Sequence, residues 1–500
     1  MAQTINTNIA SLTAQRNLAT SQKDAATAMQ RLSSGLRINS AKDDAAGLSI
    51  ASRLTTQIQG MNQAMRNVND GISLTQTAEG ALSESTTLLQ RMRELAIQSA
   101  NTTNSASDRV ALQSEVSQLK TELTTISTGT KFNNVALLDG TFTNKTFQTG
   151  AGSTDTMSVS ISATGSADLG VNTFTASNTS AGVGLTSLIA ANASAQANNG
   201  VATDTVTVTG SLGSANVTVA ANATAAEIAT AVNAETASTN VSAVGKTEVV
   251  MDTLNADGTV TFTLSSGGTT ASISATVTQT DLSELAEQVN LTTGTTGITA
   301  TVNAGAMTLT QATGSDIIIT DFDHSGAGST IAVDVLNAAG STVESVTLTD
   351  GGTDSTNAAG YVTFSSNQAF TVTSVKAAAA GSIDSAGANT SNSSSSTKVS
   401  AIDIGTQSGA TSALAVIDAA LDRVNSIRAD LGALQSRFEI RANSLATTSE
   451  NLSIARSRIE DADFAQETAS LAKSQILQQA GISVLAQANA QPQNVLALLQ

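Results

Sequence analysis

The chain has no cysteine and no tryptophan, and its 500 residues include one tyrosine, one proline and one histidine. Without cysteine there are no disulfides, thiolate metal ligands or cysteine nucleophiles, although a disulfide-free protein survives in any redox compartment. The single histidine, His324, removes HExxH chemistry, and neither a GxSxG elbow nor a phosphate loop is present. The opening MAQTINTNIASLTAQRNLATSQ has no basic segment followed by an apolar one, so it does not read as a cleaved secretory signal. No apolar run approaches the length of a membrane span. Neither membrane insertion nor nucleic-acid binding is expected. A cytoplasmic protein and one exported without a cleaved signal both remain open.

Arginine is also missing from one long stretch, between Arg109 and Arg423. Residues 151–400 carry 3 Lys and 19 Asp+Glu, a net of -16 out of -17 for the whole chain. The other residues are nearly neutral. An acidic body stays soluble and repels its own copies, whereas a charge-balanced surface packs at little electrostatic cost. The middle is therefore expected to be exposed and the two ends to make the contacts. Closing a long insert costs entropy only logarithmically, so both ends can share one module.

The ends are helix-patterned. Leu74, Ala78, Ala81, Ser85, Leu88, Met92 and Leu95 advance by alternating steps of four and three, which marks one face of a helix. A second helix follows, with Ser107 as N-cap, a stripe of Leu112, Val116, Leu119, Leu123 and Ile126, and Gly129 at its end. Near the C-terminus Leu414, Ile417, Leu421 and Val424 lead into Leu431, Leu434 and Phe438, then Arg441, Leu445, Thr448, Leu452, Ala455 and Ile459, with one slip in spacing near Ile427 and Arg428. These narrow stripes predict a bundle that joins the two ends, with a plain coiled-coil rod as the competing arrangement. The seam would run through Leu74, Leu88, Met92, Leu95, Leu112, Leu119, Leu421, Leu431, Leu434, Phe438 and Leu452. Each fully buried Leu or Ile contributes roughly 1.5–3 kcal/mol.

The outermost segments are poorer in large apolar residues. Residues 1–40 offer Ile5, Ile9 and Leu12 on one face, and residues 465–500 offer Leu471, Ile476, Leu477, Val484 and Leu485 among Ala, Gln and Ser. Such helices are expected to be marginal alone and to fold when partner copies bury them. The VLALLQ tip after Pro492 is an apolar end that a free monomer must hide.

From about Phe142 the pattern changes to period-two alternation between Gly, Asn and Asp turns, as in VTVTGSLGSANVTVA, TVTFTLSSG, TASISATVTQT and AMTLTQATGSDIIITDF. An internal repeat lies within it. Glu227-Ile228-Ala229, Val232-Asn233 and Val241-Ser242-Ala243 recur as Glu284-Leu285-Ala286, Val289-Asn290 and Ile298-Thr299-Ala300, all offset by 57. The unit reads as strand, short helix, strand, with copies near 205–250 and 262–310. SNSSSST at 391–397 reads as a linker. His324 beside Asp321 and Asp323 reads as a solvated turn rather than a cation site, and no metal or cofactor is expected.

Long runs in both ends resemble bacterial flagellins: TINTN at 4–8, RLSSGLRINSAKDDAAGL at 31–48, NDGIS at 69–73, TAEGAL at 77–82, LQRMRELAIQSAN at 89–101 and ARSRIEDADFAQETASLAKSQILQQAGISVLAQANAQPQNVLALLQ at 455–500. The resemblance covers about 1–150 and 401–500. It implies a multidomain α+β chain whose N- and C-terminal ends pair into discontinuous helical domains around an inserted, variable β-rich region. Residues 1–43 with 459–500 would form a filament-core domain, disordered before assembly. Residues 44–175 with 404–458 would form a helical bundle with a small β part, and 176–403 would face the medium.

The implied role is structural and not enzymatic: a subunit that polymerises into the extracellular flagellar filament for swimming. It would leave the cell through the flagellar type III export apparatus, directed by a stretch near 26–47. A flagellin export chaperone would hold the last helix, through Phe464, Leu471, Ile476, Leu477, Val484 and Leu485. Hook-associated and cap proteins would be its other filament partners. The family's pattern for recognition by host Toll-like receptor 5 matches at Gln90, Arg91, Leu95, Gln98 and Glu115, residues that subunit packing could equally use. A hook–filament junction protein shares helical ends of this kind, and a surface adhesin on the same scaffold is a second alternative. A flagellin with a metalloprotease insert is disfavoured by the lone histidine.

Overall fold

The computed structural model describes residues 7–194 and 198–498, the last eight of them in backbone alone. The expectations for Ile5 and for the side chains of the VLALLQ tip lie outside the described residues. Nine helices are present among those described: α1 (Ile9–Ser34), α2 (Ala45–Ala100), α3 (Ala106–Gly129), α4 (Ala225–Ala234), α5 (Thr236–Thr239), α6 (Ser283–Leu291), α7 (Thr293–Thr296), α8 (Gln407–Glu460) and α9 (Phe464–Leu498). None is long and apolar enough to cross a membrane. The strands are β1 (Lys131–Phe132), β2 (Val135–Ala136), β3 (Lys145–Gln148), β4 (Thr156–Val159), β5 (Gly170–Ala176), β6 (Asp204–Thr209), β7 (Ser214–Val219), β8 (Ser242–Asp252), β9 (Gly258–Ser266) and β10 (Thr269–Val277). They continue with β11 (Ile298–Asn303), β12 (Ala306–Gln311), β13 (Ile317–His324), β14 (Thr330–Leu336), β15 (Thr342–Thr349), β16 (Thr356–Ala358), β17 (Tyr361–Ser366), β18 (Thr371–Ser374), β19 (Ser391–Ser393) and β20 (Ser395–Lys398).

Backbone contacts divide the chain into two compact units, one of residues 1–79, 142–161 and 429–500, the other of 80–141 and 162–428. The dividing lines fall inside α2 and α8.

In the first unit α1 and α9 run antiparallel. Asn8 caps α1 by accepting from the Ser11 amide, and Gly35 ends it in the left-handed region that glycine adopts without strain. The link to α2 is tied to the end of α8, where the Arg37 amide donates to the Glu460 carbonyl at 2.6 Å. The hairpin β3–β4 packs beside the helices through Phe147, edge-on to Phe438 at 5.6 Å between ring centroids. Gly71 makes room for that ring: a Cβ there would sit 2.8 Å from the Phe438 Cζ.

The second unit holds the remaining parts of α2 and α8, with α3 and nearly all the strands. Ser105, not Ser107, caps α3, in a reciprocal capping box with Asp108. Asp108 is the residue three positions on whose carboxylate can reach back, so the box selects Ser105. Thr130, in extended conformation, rather than a left-handed glycine, closes the helix.

Three larger sheets run β10-β9-β13-β16, β19-β18-β6-β7 and β11-β12-β8-β17-β5-β20, with β14 joining β8 to β15. The segment read as a linker is instead two strands, β19 on β18 and β20 on β5, because Ser and Thr satisfy a ladder as readily as a loop. The expected solvated turn at 321–324 is also strand: β13 runs through it with a bulge at Asp321. His324 is buried, its Nδ1 accepting from the Gly326 amide at 2.9 Å.

The repeat is structural as well as sequential. Each copy is a hairpin, a helix, a short helical turn and a strand: β6–β7, α4, α5, β8, then β9–β10, α6, α7, β11. The hairpin ahead of the helix replaces the single strand expected. In the first copy the Asn233 amide donates to the Ala243 carbonyl at 2.8 Å and accepts from the Ala243 amide at 2.7 Å; Asn290 does the same to Ala300 in the second, at 2.8 Å in both directions. Thr236 to Val241 and Thr293 to Ile298 repeat a second bond. Ile228, Val232 and Val241 pack in one core, and Leu285, Val289 and Ile298 in another.

The segments are joined through Asp316, which is buried ahead of β13 and accepts from the Asn199 amide at 2.9 Å. The Asn199 amide also donates to the carbonyls of Asn222 and Ala223 beside α4. Burial pushes the Asp316 carboxyl up to about 7; the Asn199 bond opposes this, Glu227 adds to it and Asn357 opposes it. The folded state thus holds this proton more tightly than the unfolded chain does. Its contribution is fully present below about pH 4 and is lost as pH rises towards 7. Asp316→Asn is expected to melt at the parent's temperature near pH 4 and higher than the parent at pH 8, a difference on the order of 2–4 kcal/mol. Thermal melts followed by circular dichroism at the two pH values check this.

Candidate functional site

The functional surfaces are helix faces, so their register decides which residues act. On α2 the fully buried positions include Leu74, Ala78, Leu82, Ser85, Leu89, Met92, Leu95, Ala96 and Ser99. The expected Ala81 and Leu88 are only half-buried. Between 78 and 92 the seam lies one residue later than expected, on Leu82 and Leu89. Both choices keep steps of three and four, and spacing alone does not separate adjacent leucines.

On α8 the buried series is Ala413, Ile417, Ala420, Val424, Ile427, Leu431, Leu434 and Phe438, regular in steps of four and three. The slip near Ile427 is absent. It arose from choosing Leu414 and Leu421, both half-buried, where alanines occupy the seam. Alanine lets helices approach closely, a signal that a search for large residues passes over. Leu445 is buried and Leu452 half-buried further along. On α3 Val116, Leu123 and Ser127 are buried, while Leu112, Leu119 and Ile126 are half-buried. The corrected seam shares Leu74, Met92, Leu95, Leu431, Leu434 and Phe438 with the expected one.

Polar contacts fix these helices. Arg93 pairs with Asp418 at 2.6 Å, and the Ser99 hydroxyl donates to the Ile404 carbonyl at 2.5 Å. Lys120 donates to the carbonyls of Ser400 and Ile402 at 3.1 and 3.0 Å. Sequence patterning does not reveal these contacts, since each joins residues far apart in the chain.

Gln90, Arg91, Gln98 and Glu115 are exposed. Arg91 joins α2 to α3 by pairing with Glu115 at 2.9 Å, and it also reaches Glu94 at 3.0 Å. Leu95 does not share that surface: it is 1% exposed and belongs to the seam beneath.

The α1–α9 pair has a different seam. Ser11, Ala14, Leu18, Ser21, Ala25 and Ala28 face α9, and Leu471, Ser474, Gln478, Gly481, Leu485 and Ala488 form the matching face, both in heptad steps. Asn8 donates to the Ala488 carbonyl at 2.7 Å, Ser11 to Asn489 at 2.8 Å, and Arg31 pairs with Glu467 at 2.9 Å. The larger side chains point outward: Ile9 is 67% exposed and Ile476 66%, and Leu12, Phe464, Leu477, Ile482 and Val484 are exposed as well. The apolar face expected from Ile9 and Leu12 therefore exists, but it faces away from α9.

Among the described residues no group of His, Cys, Asp and Glu is placed to hold a metal ion.

Two terminal helical regions that fold onto one another around an inserted β-rich region define a class of multidomain α+β chains. Comparison with known proteins places this chain within that class. The model described as "Bacterial flagellin N-terminal helical region" matches residues 5–143, "Bacterial flagellin C-terminal helical region" matches 414–499, and "Flagellin hook IN motif" matches 259–313. The chain is 43% identical to the B-type flagellin of Pseudomonas aeruginosa and 38% identical to the flagellin of Salmonella rubislaw, each over the full length of both chains. Solved structures it matches include FliC from Burkholderia pseudomallei, at 19% identity and TM-score 0.29 over 73% of this chain and 99% of that one. Another is flagellar hook associated protein-3 from Legionella pneumophila, at 13% identity and TM-score 0.36 over 82% and 98%. The chain belongs to the bacterial flagellin family.

The corrected register is testable. Leu89→Ala is expected to cost about 2–5 kcal/mol of stability and Leu88→Ala under about 1 kcal/mol. Equal losses in denaturant unfolding would restore the earlier seam.

Proposed function

We propose that this flagellin-family chain is the structural subunit of an extracellular flagellar filament used for swimming, assembled from its two ends. The exposed aliphatic faces of α1 and α9 carry the reading. Ile9, Leu12, Ile476, Leu477, Ile482 and Val484 lie on a helix pair whose own seam is built mostly from small residues. Apolar side chains so placed gain their burial from other copies, at about 25 cal/mol for each Å² removed from water. Contacts of one face on a different face of the next copy do not close, and they build an open helical tube. The filament-core domain is proposed as 1–43 with 459–500 and the supporting bundle as 44–175 with 404–458, leaving 176–403 outside. The seam residues of α2, α3 and α8 hold the bundle.

The same reading covers the path out of the cell. The chain would pass through the flagellar type III apparatus, directed by residues near 26–47. An export chaperone would cover Phe464, Ile476, Leu477 and Val484 until assembly, with Leu471 and Leu485 engaged once α9 leaves α1. Hook-associated and cap proteins would bound the filament at its ends. In the free monomer Gln90, Arg91, Gln98 and Glu115 would meet Toll-like receptor 5, with Leu95 holding the helix beneath them and not touching the receptor.

Removing residues 1–40 and 465–500 is expected to leave a soluble chain that forms no filaments by sedimentation and electron microscopy. Filaments from the truncated chain would end the role given to α1 and α9. Arg91→Ala, which loses its bonds to Glu94 and Glu115, is expected to raise the monomer concentration needed for receptor activation in a reporter-cell assay. An unchanged dose response would remove the receptor from the proposal.

A further inference from the structure

A strand at the end of a sheet leaves a row of backbone N–H and C=O groups unpaired, and folded proteins shield such rows. Most sheet ends here are shielded. The Asn290 amide occupies both the N–H and the C=O of Ala300 on β11. The segment 182–188 donates two amides to Glu344 on β15, and 187–189 hydrogen-bonds beside β16. β20 carries Lys398, and β19 is only three residues long.

In the three larger sheets two ends have no hydrogen-bonded partner on their outer side, although α6 and α7 pack against β10 and α4 and α5 against β7. β7 pairs only with β6, and β10 only with β9. Among the described residues no hydrogen bond reaches the outer side of either strand. Both ladders are free of bulges. Residues 205–226 and 258–280, which hold both hairpins apart from Asp204 at the start of β6, contain no charged residue and no proline. The two strands occupy the same place in the two copies of the repeat, each immediately ahead of its helix, so the open edge was duplicated with the module.

We propose that β7 and β10 are strand-pairing surfaces between copies of this chain, β7 of one subunit adding to β10 of the next. Charge selects the occupant. Paired strands lie about 4.8 Å apart, and two bodies that each carry -16 between residues 151 and 400 approach so closely only along strips that bear no charge. A second copy presents such a strip, neutral on both sides, so pairing desolvates no ionised group. Joining unlike edges gives a contact that repeats without closing, which suits subunits all pointing the same way. The proposal rests on the polymer reading, and filaments supply the high local concentration that pairing of short strands needs.

The chain has no cysteine, so single cysteines report cleanly. Asn216→Cys on β7 and Ser274→Cys on β10, both at exposed positions, are polymerised together and oxidised, with Thr103→Cys as an exposed control. Mixed 216–274 disulfide dimers are expected to exceed those of the control by about tenfold. Adding Thr218→Lys to the Asn216→Cys chain, or Ser272→Lys to the Ser274→Cys chain, is expected to abolish them, with circular dichroism unchanged. Filaments by electron microscopy with mixed dimers only at the control level overturn edge pairing and leave the polymer reading intact. Dimers of like cysteines in excess overturn the β7-to-β10 arrangement. If no filaments form, the polymer reading fails, and mixed crosslinking in concentrated monomer then decides edge pairing alone.

Discussion

Helix pairs drawn from opposite ends of the chain hold everything else in place. The Arg93–Asp418 pair and the Phe438 ring seated on Gly71 each join an N-terminal helix to a C-terminal one, and the Ser99 hydroxyl ties α2 to Ile404 just ahead of α8. Such closure is entropically tolerable because its cost grows slowly with the length enclosed. It also frees the insert from any duty in holding the ends. The β-rich region brings its own cores around Phe262 and Phe364, so its sequence can change without loosening the helices.

Much of this was legible in the residues. Heptad spacing marks α2, α3 and α8, and the 57-residue offset marks the two modules. The errors share one physical origin. Large apolar residues mark a stripe most plainly, but on α8 Ala413 and Ala420 are buried where Leu414 and Leu421 are half-buried. The inner face of α1 is likewise built from the small residues Ser11, Ala14, Ala25 and Ala28, while the larger Ile9 and Leu12 lie on its outer side. Ser/Thr tracts were equally ambiguous, since 391–397 pairs in two ladders although its composition suits a linker. Contacts such as Arg91 with Glu115 need the turn between α2 and α3 to be folded before they can be seen.

The modules show how a repeat preserves its form while its residues drift. Glu-Ile-Ala becomes Glu-Leu-Ala and Val-Ser-Ala becomes Ile-Thr-Ala, but the two asparagines keep both bonds to an alanine ten residues on. A side-chain amide presents the same donor and acceptor as a peptide group, so Asn233 and Asn290 each stand in for one residue of an adjacent strand. That constraint is directional, whereas apolar packing tolerates exchange among residues of similar volume.

The small-residue seam between α1 and α9 bears on mechanics. Large side chains that interlock across two helices fix their axial position, because sliding must lift each one out of its socket. Between Ser11 and Ala28 on one side and Leu471 and Ala488 on the other, Leu18, Leu471 and Leu485 are the main obstacles of that kind. The alignment is otherwise held near its two extremities, by Asn8 and Ser11 at one and Arg31 with Glu467 at the other. The axial position of one rod on the other is thus set by polar links near the two ends and three leucines between them, with small side chains filling the rest of the line.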